Sequence, residues 1–113
     1  MGSSGNLALA SGTTYNCCSI SLEAGTWVVT SSIAYQSGGT TAAYRCLYLS
    51  NSAGSNYLAI QSPGVAVGNT VLNGTRTLVC ATTTTVILRA LQGSGATLNV
   101  PNAAAWIQAV RIK

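Results

Sequence analysis

The chain has no histidine and no phenylalanine, and Glu23 is the only acidic residue among its 113. Acid–base catalysis needs groups that change protonation near neutral pH, so without imidazole and with one carboxylate the usual catalytic pairs are missing. A glycosidase pair of carboxylates cannot form within one chain; only copies of Glu23 meeting around an oligomer axis could supply it. A cysteine nucleophile would find no imidazole to activate it. No enzymatic activity is expected. Zinc sites draw on paired Cys-x-x-Cys or on Cys with His, and neither spacing occurs, so no metal is expected. The small-residue runs GSSG, SGG and GSG lack the spacing of a phosphate loop, so no cofactor is expected either.

Charge of both signs is scarce. Charged residues make up 5% of the chain, against about 25% in ordinary soluble proteins. The five cations, Arg45, Arg76, Arg89, Arg111 and Lys113, are scattered and give a net charge of +4. No basic run with interleaved aromatics marks a nucleic-acid binder, although attraction to an acidic partner surface stays open. Apolar runs stay short, as in VIL at 86–88, where a membrane helix needs about 20 residues. The opening MGSSGNLALASG lacks a basic stretch followed by an apolar core and does not read as a signal peptide. It reads as an N-terminal arm over 1–12, ahead of one domain over 13–113.

What fills the chain instead is Ser, Thr, Asn and Gly among β-branched and aliphatic residues. Like-charge repulsion between copies is weak on such a surface, which favours a subunit that buries area in an assembly. Strand signals recur near 6–10, 14–22, 25–35, 43–50, 56–61, 65–72, 75–81, 84–92, 96–100 and 105–112. In the stretch SLEAGTWVVTSSIAY the alternation places Trp27, Val29, Ile33 and Tyr35 on one face of a half-buried strand. Glu23 reads as a turn residue bonded to backbone amides. Turns are expected at 36–41, 51–56, 61–65, 72–76 and 92–96. Asn73-Gly74, between two apolar runs, is the sharpest of these because Asn-Gly takes the positive φ angles of a tight hairpin. The alanines of NAAAWIQAV favour helix, but WIQAVRI alternates as a strand and is taken as one. About ten short strands predict an all-β antiparallel sandwich or barrel.

Of the four cysteines, Cys17 and Cys18 would point to opposite faces of a strand, so at most one would meet a given core. Two disulfides could form from Cys17, Cys18, Cys46 and Cys80, but buried reduced thiols acting as small hydrophobes are expected. Two late strands are apolar on both faces. Val86 and Leu88 oppose Ile87 and Leu91, and Trp106, Val110 and Ile112 oppose Ile107, which makes these strands either doubly covered or part of a subunit interface. Trp27, Val86, Leu88, Leu91, Trp106, Ile107, Val110 and Ile112 are therefore the candidates for core or interface. Aromatic rings in so small a sandwich pack more often than they bind, yet Tyr57 beside Asn51, Ser55 and Asn56 is the best candidate for an exposed sugar contact.

The segment L-x-A-G-T-W-x-V (Leu22 to Val29), the late TTTTVILRAL (82–91) and the closing IQAVRI (107–112) together resemble the small jelly-roll domains of tailed-bacteriophage virion proteins, similar in architecture to the C1q and tumour-necrosis-factor heads. The resemblance implies a jelly roll of eight to ten strands, closed as a homotrimer, with Trp27 buried and the closing strand central. It also implies a place in the virion, assembled in the host cytoplasm. Such domains include capsid decoration or cement proteins and receptor-binding tips of tail fibres or spikes. With no long shaft ahead of the domain, a trimeric decoration protein on the outside of the head is expected, bound to the major capsid protein or other virion proteins. A glycan-binding fibre tip, using the loop with Asn51, Ser55, Asn56 and Tyr57 on a host surface glycan, is the alternative.

Overall fold

The alternation of apolar and hydroxyl side chains becomes ten strands, with no helix, in a computed structural model that describes residues 2–36, 44–63 and 69–113. In chain order these are β1 Gly2–Ser3, β2 Leu7–Leu9, β3 Tyr15–Leu22, β4 Gly25–Tyr35, β5 Tyr44–Ser50, β6 Asn56–Pro63, β7 Thr70–Cys80, β8 Thr84–Gln92, β9 Leu98–Val100 and β10 Ala105–Arg111. One sheet has the order β1-β10-β4-β7, the other β3-β8-β5-β6, and β2 pairs with β9 in a separate ribbon. Every pairing is antiparallel. Of the consecutive strands only β5 and β6 lie in the same sheet; elsewhere the chain crosses over, which is the winding of a jelly roll. The closing strand β10 is flanked on both sides, as the resemblance implied. The stretch read as an arm contributes β1, which extends the first sheet, and β2, whose Leu9 is buried.

The core lies between the sheets. Val29, Ile33, Tyr35 and Ile107 from one side meet Leu47, Leu49, Val86 and Leu88 from the other, all fully buried. This is the face predicted for Val29, Ile33 and Tyr35. Trp27 packs against the same cluster but is only half-buried. The ribbon is held by Gln92, a buried carboxamide that donates to the carbonyls of Leu9 at 2.9 Å and Ala96 at 2.7 Å, while its oxygen accepts from Ser94 N. Burying an amide this deeply is tolerable because its groups are bonded.

The expected hairpin at Asn73-Gly74 does not exist. The strands anticipated at 65–72 and 75–81 join, from Thr70 onward, as the single strand β7, with residues 64–68 outside the described part. Asn73 and Gly74 sit opposite Ser32 and Ser31 of β4. Packing across the sandwich decides the matter: a Cβ at Gly74 would lie 2.6 Å from Leu58 Cδ2 and 3.0 Å from Ile60 Cδ1. Glycine here marks a close approach of the facing sheet rather than a turn. Ser31 adds a bond across the same point, donating to the Gly74 carbonyl at 3.1 Å.

Other turns form where expected. Asn51 to Ser55 closes the β5–β6 hairpin, with Gly54 at φ 93°, and residues 93–97 leave β8. Of the turn expected at 61–65, Gln61 to Pro63 belong to β6; the rest of it, and all but Gln36 of the turn at 36–41, lie outside the described residues. Glu23 does occupy a turn, between β3 and β4, but its exposed carboxylate bonds to no described residue; its carbonyl accepts from Trp27 Nε1 at 2.9 Å.

A β-bulge between Asn16 and Cys18 corrects the expectation for the cysteine pair. The extra residue resets the alternation, so both Cys17 and Cys18 pack against the core instead of only one. All four cysteines are free thiols.

Replacing Gly74 by Val should destabilise the protein by about 1–3 kcal/mol, because three side-chain ends, that of buried Leu47 among them, must give at once. Asn73→Ala, at an exposed position, should stay within about 0.5 kcal/mol. Chemical denaturation measures both. The reverse order, a silent Gly74→Val and a damaging Asn73→Ala, would point to a turn at this site.

Candidate functional site

Two sheets packed over one core leave two outer faces, and these differ in chemistry. On the β1-β10-β4-β7 sheet the outward positions of β4 are Thr26, Val28, Thr30, Ser32 and Ala34. They are flanked by Val71, Asn73, Thr75, Thr77 and Val79 of β7 and by Trp106, Gln108 and Val110 of β10. None of these side chains is charged. Val71, Val110 and Ile112 are 54%, 59% and 54% exposed, and Val79 is 81% exposed. These exposed aliphatic groups share a face that carries no charge.

The outer face of β3-β8-β5-β6 is more varied. Ile87, Arg89 and Leu91 line the outside of β8, Tyr44 and Tyr48 the outside of β5, and Asn16 the outside of β3. Arg89 Nε donates to Asn16 Oδ1 at 2.8 Å. Cys46 also points outward yet is 1% exposed. Interaction with the Cys46 thiol, with burial, pushes the Tyr48 phenol up to about 12.

At the β3–β4 end, Arg111 donates to the carbonyls of Ala24 at 2.9 Å and Lys113 at 3.1 Å, and its guanidinium lies 5.8 Å from the centre of the Trp27 ring. A Cβ at Gly25, which has φ 150°, would meet both Arg111 and the Lys113 carbonyl at 2.8 Å, so this corner admits only glycine. Arg45 is different again, with its guanidinium buried and one amino group donating to the Tyr44 carbonyl at 3.3 Å. Sequence reasoning missed this position, since nothing in the pattern RCLYLS separates a buried arginine from an exposed one.

The residues singled out from the sequence divide among these environments. Val86, Leu88 and Ile107 are fully buried core. Leu91 and Trp106 are half-buried on opposite outer faces, and Val110 and Ile112 are exposed. In the proposed sugar-contacting loop the Asn51 carboxamide oxygen accepts from Ser55 N at 2.9 Å and Tyr57 packs against the core, leaving Ser55 and Asn56 exposed. A separate cleft of about 360 Å³ lies over the β2–β9 ribbon, lined by Asn6, Leu7, Ala8, Gln36, Asn99, Val100 and Pro101. No charged or aromatic side chain lines it. Among the described residues no cluster of three or more metal-ligating side chains occurs, and no helix is long and apolar enough to cross a membrane.

No protein-family model matches the chain, and no curated protein matches it in sequence. Among solved structures, a chain from the structure of infectious bursal disease virus Gx strain superposes with a TM-score of 0.56 at 11% identity. The match covers 97% of this chain and 30% of the viral one. At that identity the likeness shows the fold. The neighbour comes from a virus, and it carries no link to a tailed phage.

The buried thiol and phenol groups set a pH dependence. Burial, with the neighbouring Cys18, raises the Cys17 thiol from 9.0 to about 12, and burial pushes the Tyr35 phenol well above its ordinary range. The native state thus keeps protons that the unfolded chain loses above about pH 9 to 10, so stability falls as pH rises through that point. With no imidazole and one carboxylate side chain, little titrates below it. The thermal midpoint should be flat from about pH 5 to 8 and drop above about pH 9, and Cys17→Ala should remove the first part of the drop. A midpoint unchanged to pH 11 would contradict this assignment.

Proposed function

We propose that the chain is a structural virion protein, a jelly-roll subunit that closes into a homotrimer through the outer face of β1-β10-β4-β7. The observation that carries this is the complete lack of charge on a face with four aliphatic side chains more than half exposed. The strands of this sheet, with 2, 7, 11 and 11 residues in β1, β10, β4 and β7, at about 3.4 Å per residue and about 4.8 Å per strand, give an area on the order of 500 Å². That is the scale of a standard interface of about 800 Å² of accessible surface per partner. The fold shared with a viral chain supports a virion setting, and the ordered motifs of Leu22 to Val29, 82–91 and 107–112 resemble the jelly-roll domains of tailed-phage virions, where we place the chain as a decoration protein of the head. Its work there is mechanical: binding only the assembled shell stabilises that state by mass action. Copy number in purified virions tests the location, since tail-tip stoichiometry would rule out a head protein.

The alternative, a glycan-binding fibre tip, rests on the uncharged, amide-lined cleft over the β2–β9 ribbon rather than on the 51–57 loop, whose Asn51 and Tyr57 are already engaged. With no aromatic ring lining that cleft to stack on a sugar, it ranks second.

Light scattering should give about three times the 11.4 kDa of one chain. Val110→Asp should leave a folded monomer, because that side chain is already exposed within the subunit and only assembly would desolvate the new charge. Leu88→Asp and Ile107→Asp should prevent folding, since either buries an unpaired carboxylate in the core at a cost of several kcal/mol, comparable to the whole stability of a small domain. A monomeric wild-type protein at micromolar concentration would defeat the reading.

A further inference from the structure

The second outer face has the make-up of a docking surface. Arg89 sits at its centre with Ile87 and Leu91 two positions away on either side along β8 and Tyr48 directly opposite on β5. Tyrosine and arginine framed by aliphatic groups are the residues that most often anchor protein interfaces. The guanidinium is aimed rather than loose. Its Nε is tied to Asn16 Oδ1 at 2.8 Å, and one terminal nitrogen reaches the β5–β6 turn, where a Cβ added at Gly54 would lie 3.5 Å from it. Its two terminal amino groups donate to no described residue, which leaves the fork that matches a carboxylate open. Tyr44 is placed with equal care: its ring lies across Gly93, in space that any Cβ there would take.

Charge complementarity selects the occupant. The chain has one acidic side chain, Glu23, and it lies in the β3–β4 turn and not on this face. A symmetric contact between two such faces would set Arg89 against Arg89 with no anion to separate them. A symmetric pairing of two such faces therefore does not fit. We infer that the outer face of β3-β8-β5-β6 docks a different protein, one that presents a carboxylate between apolar side chains, with Arg89 as the charged anchor. This goes beyond the virion reading and does not depend on it, because the trimer would use the opposite face.

The test is selection of a random dodecapeptide display library on the immobilised wild-type protein, followed by fluorescence anisotropy with the best peptide and its Glu→Gln or Asp→Asn analogue. Enriched peptides should carry an acidic residue flanked by apolar ones. The carboxamide analogue and the Arg89→Gln protein should each bind about tenfold more weakly or worse. Arg89→Lys, which keeps the charge but loses the fork, should fall in between. Arg76→Gln, an equal change of net charge at an exposed position on the other sheet, should stay within about twofold. A thermal melt confirms that Arg89→Gln folds; if it does not, Arg89→Lys and the peptide analogue carry the test. No enrichment, enrichment without acidic residues, or equal losses in Arg76→Gln and Arg89→Gln would overturn the inference.

Discussion

With one carboxylate side chain against five cations, this protein cannot hold its positive charges by ion pairs, and neutral acceptors do the work instead. Arg111 is bonded to the Ala24 carbonyl and lies beside the Trp27 ring, Arg89 is tied to a carboxamide, and the buried Arg45 donates to a carbonyl. A hydrogen bond from a charged donor is worth roughly 1.5–3 kcal/mol, about twice a neutral one, so such acceptors suffice. Unsatisfied carbonyls occur at strand ends and turns and not in the middle of a paired sheet. Arg45 is the second residue of β5 and Arg111 the last of β10, close to the ends where this constraint would put them. One consequence is that the central strand β4, with eleven residues, carries no charge on either face.

Much of the fold follows from side-chain period alone. The alternation in 25–35 grouped Val29, Ile33 and Tyr35 on one face of a half-buried strand, while that in 84–92 left Val86 and Leu88 as core or interface; all five are buried in the core, and a one-residue slip would have turned each of them outward. What period cannot report is the distance to the facing sheet. Asn73-Gly74 has the composition of a hairpin turn, and only the Leu58, Ile60 and Leu47 side chains opposite explain why a glycine stands in mid-strand. The Cys17-Cys18 pair fails for a related reason, since a bulge is a property of the pairing with β8 and not of β3 by itself. Gln92, the buried side chain that ties the end of β8 to the β2–β9 ribbon, was illegible because its partners are backbone groups, which any sequence supplies.

The two outer faces were legible to different degrees. Apolar residues on both sides of the late strands pointed to strands either doubly covered or part of a subunit interface; within the subunit Val110 and Ile112 are exposed, while Leu91 and Trp106 are half-buried. The sequence treated Leu91 and Val110 as one class. The sheet order separates them, because β8 and β10 lie in opposite sheets and their outward residues face opposite ways.

That separation gives the two faces distinct physical roles in the proposed assembly. A closed ring repeats every contact, so any charge on the contacting face is repeated as well, and without anions to answer it the penalty multiplies with the number of copies. Only the β1-β10-β4-β7 face avoids this, since its outward side chains, Trp106 among them, are all uncharged. Using it for self-association turns the β3-β8-β5-β6 sheet, about 10 Å away across the core, toward the outside of the ring. There a single cation per subunit has the opposite value. In that arrangement Arg89 would disfavour further copies of the same basic chain and favour a surface that brings its own carboxylate, so one cation on the outer sheet would both limit the assembly and select what it meets.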